Sequence, residues 1–187
     1  MKILVLSQDQ KILNSIKGKF NSFSIDIDLV SLMHIEDIPK NLTGLIVPGK
    51  VDKNVLSTFL KFAKNNNLKT LFTNQGGVES LISYFRNKEC RVKKFEGSDL
   101  TFLSLGSKLA EIIGGAGPLN THYDLDCEIP ISFLPDKFLL SAFNAGNGSI
   151  EALEMVGEWE ILGVIWPLFS SKKAPSGFEN ILSWISE

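Results

Sequence analysis

Leu71-Phe72-Thr73-Asn74-Gln75-Gly76-Gly77 is the stretch whose reading decides the fold. A short apolar run enters two glycines and continues into Val78, Leu81, Ile82 and Phe85 at helical spacing. That order describes a buried strand passing through a sharp turn into a helix. Enzymes use such turns to present a nucleophile. Here the tip carries the carboxamide of Asn74 where a Cys or Ser would stand. The sequence therefore implies a catalytic scaffold without its reactive atom.

Working outward toward the N-terminus, Lys2–Leu6 is nearly all apolar, as suits a strand covered on both faces. Ile12, Leu13, Ile16 and Phe20 follow at helical spacing, then an alternating segment over Ser24–Val30. Leu42–Val47 is a further apolar run, closed by Pro48-Gly49. Val55, Phe59, Leu60 and Ala63 make a helical stripe that stops at Asn65-Asn66-Asn67, before the strand Thr70–Thr73. Strands alternating with helices imply a parallel sheet with right-handed crossovers and helices on both faces.

Beyond Val92 the character changes. Short strand candidates follow one another at Leu100–Leu105, Glu128–Phe133, Phe138–Asn144, Ile150–Met155 and Leu162–Trp166. One helix, Ser107–Ile113, interrupts them, and Gly114–Pro118 reads as a loop. These runs suggest an antiparallel addition to the parallel core. Ser176 and Glu179 stand in capping-box spacing ahead of a closing helix carrying Phe178, Ile181, Leu182, Trp184 and Ile185. No repeat or linker divides the chain, so residues 1–187 read as one domain.

Composition narrows the function classes. An apolar content of 44% and a charged content of 21% are ordinary for a globular protein, and no apolar run approaches a membrane span. Cys90 and Cys127 offer neither a disulfide framework nor metal-ligand spacing, which suits a reducing cytoplasm; His34 and His122 are too isolated for a metal cluster. No cofactor is expected. Residues 1–120 carry 16 Lys and Arg against 11 Asp and Glu, whereas residues 121–187 carry 3 against 10. The basic density at Arg86, Lys88, Arg91, Lys93 and Lys94 has no accompanying aromatic stacking pattern, so it reads as a helix end and loop rather than a nucleic-acid surface.

Four segments, in order, resemble the class I glutamine amidotransferase family, its γ-glutamyl hydrolase branch in particular. Gly44-Leu45-Ile46-Val47-Pro48-Gly49-Lys50 is similar to the family's "GLILPGG" and Leu71–Gly77 to its elbow "GICRGxQ". Thr121-His122-Tyr123-Asp124 with Leu134-Pro135-Asp136-Lys137-Phe138 resembles "SHxD…LPxGF". Gly148–Glu154 with Gly163-Val164-Ile165-Trp166-Pro167 resembles "G.IEAIE…GVQWHPE". Ser107–Gly114 also suits the γ-glutamyl hydrolase branch. The resemblance implies an α/β, flavodoxin-like three-layer sandwich with a mostly parallel central sheet and an antiparallel C-terminal addition.

The departures bear directly on chemistry. The family attacks a γ-carboxamide with a Cys thiolate, moves the proton through a His and orients that His with a Glu. Asn74 holds the nucleophile position, Pro167 holds the His position and Phe169 follows where a Glu is due, so no catalytic residue is assigned. An amide nitrogen is no nucleophile at neutral pH. The binding residues implied by the resemblance are Gly49, Lys50, Asn74, Gln75, Gly76, His122 and Trp166. Lys50 either makes the former oxyanion region positive or points to solvent; His122 is either a pocket or a strand-end residue.

The favoured reading is a pseudoenzyme acting as a binding or regulatory module for a small γ-glutamyl or amino-acid-like ligand. Some relatives work in complexes, which implies a synthetase or other protein partner; no nucleic acid or membrane partner is expected. The alternative is an active γ-glutamyl or amide hydrolase with relocated groups, such as Cys127 with His122. Cys90, amid cations, is expected to have thiolate character at the surface, and Ser80 to lie on a helix face.

Overall fold

The computed structural model describes residues 2–25, 27–31, 38, 41–121, 125, 127–157, 159–170 and 177–187. The first half alternates as read: β1 (Lys2–Val5), α1 (Gln10–Ser22), β2 (Asp28–Ser31), β3 (Leu42–Val47), α2 (Lys53–Asn65), β4 (Lys69–Thr73) and α3 (Asn74–Arg86). Then come β5 (Lys93–Lys94), β6 (Leu100–Leu103), α4 (Lys108–Ile113), β7 (Gly117–Asn120) and β8 (Cys127–Glu128). β9 (Leu139–Asn144), β10 (Ile150–Met155), β11 (Ile161–Val164) and α5 (Glu179–Ser186) complete the chain.

One nine-stranded sheet has the order β2-β1-β3-β4-β11-β10-β9-β6-β7. The pairings from β2 through β11 are parallel, and those from β10 outward are antiparallel. This is the expected α/β sandwich: a parallel core continued by an antiparallel wing. β5 and β8 form a separate two-stranded ribbon. Among the described residues no helix is long and apolar enough to cross a membrane.

Register places the site. Val47 pairs with Phe72 and Val164 with Thr73, so β3, β4 and β11 end at one level. Whatever follows them is delivered to one end of the sheet. Both faces of these strands are covered, and Leu45, Ile46, Val47, Leu71, Phe72 and Val164 are buried. Uniform apolarity, without alternation, is what such a sandwiched strand requires.

The helices start where their caps dictate. Asp9 Oδ1 accepts from Lys11 N at 2.8 Å, and Asp52 Oδ1 accepts from Asn54 N at 2.9 Å and Val55 N at 3.3 Å. Each cap satisfies helix N–H groups that have no partner within the helix. The buried stripe of α2 is Leu56, Phe59, Leu60 and Ala63. Val55, expected in that stripe, is instead 44% exposed. Spacings of three, four and seven from Leu56 close the stripe, and its neighbour is rotated out by about 100°.

Other expectations shift in the wing. Glu128–Phe133 is not one strand: β8 ends at Glu128, and Ile131–Phe133 is a 3-10 turn. The Gly114–Pro118 loop ends at Gly117, where β7 begins as the outer edge of the sheet. An edge tolerates Pro118 because no further strand needs its missing N–H. Ser176 lies outside the described residues; Glu179 Oε2 accepts from Gly177 N at 3.0 Å, closing the turn before α5.

Candidate functional site

Asn74 is a sharp elbow between β4 and α3, with φ +62°. That left-handed conformation is tolerated by Asn better than by most residues with a Cβ. Close approach fixes the glycines that follow. A Cβ on Gly76 would lie 2.8 Å from Lys50 N, and one on Gly77 would lie 2.7 Å from Val47 O. The turn after β4 is thus pressed against the loop after β3, and neither contact has room for a methyl group.

Hydrogen bonds lock the two together. Asn74 Nδ2 donates to Pro48 O at 2.7 Å. Ser80 Oγ donates to Gly76 O at 2.9 Å and accepts from Val51 N at 3.0 Å. Ser80 is therefore a buried brace between α3 and the β3–α2 loop rather than only a residue of a helix face. Asn74 Oδ1 is buried with no hydrogen-bond partner among the described residues. Exchanging its two amide atoms would set Oδ1 against the Pro48 carbonyl oxygen, so the orientation follows from the geometry.

The segment after β11 closes the elbow from behind. Thr73 Oγ1 donates to Trp166 O at 2.8 Å, and Asn74 N donates weakly to the same oxygen at 3.4 Å. Trp166 has no exposed surface. Its ring stacks on Phe178 at 4.7 Å, and its Nε1 donates to Glu151 Oε2 at 2.8 Å. Glu151 is itself buried and accepts from Thr101 Oγ1 and from Asn144 Nδ2 at 2.9 Å. Trp166 lies beneath the elbow as its support, with no face open to a ligand. Pro167 follows it half-buried, and Leu168 and Phe169 are buried.

Because the Thr73 hydroxyl is committed to Trp166, α3 begins without a side-chain cap. Its first N–H groups keep the donor capacity that Asp9 and Asp52 neutralise in α1 and α2. Gln75 does not fill the gap: its Nε2 donates to Glu79 Oε1 at 2.5 Å, along the helix. Gly49 and Gly76 are half-buried beside the turn.

Lys50 is exposed and lines two crevices that flank its own loop. One, of about 370 Å³, lies toward α3 with Glu79, Ser83 and Cys90 in its wall. The other, of about 450 Å³, lies between the loops after β1 and β3. Asn74, Gln75 and Gly76 line neither.

Cys90 is buried rather than at the surface, and its backbone N–H donates to Ser83 Oγ at 3.0 Å. Burial, reinforced by the Glu79 carboxylate, pushes its thiol up to about 11, against the opposing pull of Arg86 and Lys50. The expected thiolate character is therefore overturned by desolvation. Cys127 is half-buried on β8, opposite Lys94. His34 and His122 lie outside the described residues. Arg86 packs over the Phe133 ring at 5.2 Å and donates to Ser132 O. No cluster of His, Cys, Asp or Glu among the described residues would hold a metal ion.

Two crystal structures share this arrangement of strands and helices. A Thermoplasma acidophilum protein described as a GMP synthase subunit superposes with a TM-score of 0.68 at 17% identity, covering 99% of this chain and 92% of that one. A glutamine amidotransferase from Methylobacillus flagellatus gives 0.58 at 11% identity, covering 100% and 74%. The fold is that of the glutamine amidotransferases. No family model and no curated protein matches the sequence. Within the amidotransferase fold, Asn74 stands at the elbow after β4, and Trp166-Pro167 follow β11.

Proposed function

We propose that this amidotransferase-fold protein is a recognition module that binds a small γ-glutamyl or amino-acid-like ligand at the elbow without cleaving it. The observation that carries the proposal is Asn74 itself. A residue at φ +62° is kept at the tip, and its carboxamide is turned into the protein to bond Pro48 O. The group that should face a substrate carbonyl is occupied in holding two loops together. Trp166-Pro167 offers no base or acid after β11, and loss of the whole relay leaves binding without turnover. The uncapped start of α3 supplies backbone donors for a carboxylate.

The same proposal places the protein in the cytoplasm as a γ-glutamyl hydrolase-like pseudoenzyme with a regulatory role. It adds a synthetase-type protein partner, in keeping with the Thermoplasma neighbour, which is described as one subunit of a synthase. The test is turnover of glutamine and of a γ-glutamyl peptide by the purified protein and by Asn74→Ala. The expected result is no release of ammonia or glutamate above the uncatalysed rate from either. Turnover by the wild type that Asn74→Ala abolishes would overturn the proposal.

A further inference from the structure

Sheet order marks a crevice that the elbow residues do not line. β1 is followed through α1 by β2 on one side, whereas β3 is followed through α2 by β4 on the other. The connections leaving β1 and β3 therefore diverge and open a crevice at the carboxyl ends of these two neighbouring strands. In open α/β sheets such a switch point is the geometric seat of a ligand. The crevice of about 450 Å³ lies there, between the segments after β1 and β3. Its volume falls in the range of small-molecule sites, roughly 300–1,000 Å³.

Its lining limits what it takes. Val55, turned out of the α2 core stripe, forms one wall with Ile12 and Val51. Lys50 lines this crevice as it lines the one toward α3, where its charge acts on the Cys90 thiol, and it makes no ion pair among the described residues. Asp9 and Asp52 also line it; each uses Oδ1 to cap a helix, while each Oδ2 makes no hydrogen bond among the described residues. The capping carboxylates occupy the N-termini of α1 and α2, the positions a phosphate would need, and repel a second anion. One ammonium and two carboxylates around an apolar wall instead match a ligand bearing both charges and an aliphatic group.

We propose that this crevice binds a free α-amino acid with an aliphatic side chain. Its carboxylate meets Lys50, its ammonium meets the spare oxygens of Asp9 and Asp52, and its side chain lies against Val55. The site is separate from the elbow and does not rest on the elbow's role in recognition.

The test is titration of the full ¹⁵N-labelled chain with L-leucine, followed by amide chemical shifts. Saturable shifts are expected at residues 7–9 and 49–52. Removing one ionic partner should weaken binding by about tenfold or more, whether through Lys50→Met or by replacing leucine with isoamylamine or 4-methylpentanoate. Asp52→Asn, which still caps α2, should weaken leucine binding without loss of fold. Absence of saturable shifts, stronger binding of inorganic phosphate than of leucine, or undiminished affinity in Lys50→Met would overturn the proposal. Shifts confined to residues 74–77 would also overturn it, by assigning the amino acid to the elbow.

Discussion

The elbow after β4 and the crevice between β1 and β3 sit at the same end of one sheet, but their polar groups are used differently. At the elbow the Thr73 hydroxyl, the Asn74 amide nitrogen and the Trp166 indole each have a partner inside the protein. Around the crevice, Lys50, shared with the neighbouring crevice, makes no ion pair, and the second oxygens of Asp9 and Asp52 have no partner among the described residues. Bonds closed internally hold a shape; groups left open in a concave, partly apolar wall are what the proposed amino-acid site would use. The difference separates a turn held in shape by its own bonds from a crevice whose polar groups stay open.

Trp166→Ala should break the comparison most severely. It removes a fully buried indole that stacks on Phe178 and supports the elbow, and should cost about 3–5 kcal/mol in denaturant unfolding. Glu151→Gln is the next test. It replaces an acceptor-only carboxylate that takes three donors with an amide that must point a donor at one of them. A loss of about 1–3 kcal/mol is expected, with the crevice unaffected.

Asn74 separates backbone strain from side-chain bonding. Asn74→Ala forfeits the bond to Pro48 O and puts an ordinary Cβ residue at φ +62°, so it should destabilise by about 1–2 kcal/mol. Asn74→Gly loses the same bond but relaxes the backbone and removes the unpartnered Oδ1; its stability should stay within about 1 kcal/mol of the wild type. Equal losses in the two variants would show that φ carries no weight.

The smallest effect concerns Cys90. Its folded thiol titrates at about 11, above the ordinary value of 9.0, so the folded state binds the proton more tightly. The associated stability is complete below pH 9.0 and is lost as pH rises toward about 11. A Cys90-dependent fall in stability over that window should vanish in Cys90→Ala. At pH 8 iodoacetamide should modify half-buried Cys127 before buried Cys90, as read by peptide mass mapping.

Much of this molecule was legible in its sequence where local pattern and tertiary burial agree. The strand–turn–helix at 71–86 and the order of elements through α3 emerged from uninterrupted apolar runs and helical stripes. The wing was less legible. β5 and β8 are two residues each, and their pairing depends on a neighbour distant in the chain. β7 contains Gly117 and Pro118, which argue for a loop until its place at the edge is known. Val55 and Leu56 are adjacent and both apolar, so periodicity alone left the face of α2 off by one residue.

Among the site residues, the departure at Asn74 was visible directly, but its inward hydrogen bond was not. The burial of Cys90 depends on packing between the end of α3 and the β3–α2 loop, which share one crevice wall. The support given by Glu151 to Trp166 joins β10 to the segment after β11, and no local spacing announces it.

Intact-mass analysis after exposure to a glutamine-mimicking electrophile, with peptide mapping across residues 69–86, tests the central claim most directly. An unmodified elbow peptide is predicted even after prolonged incubation, because Asn74 has no nucleophilic atom. A stoichiometric covalent adduct within residues 73–77 would contradict it.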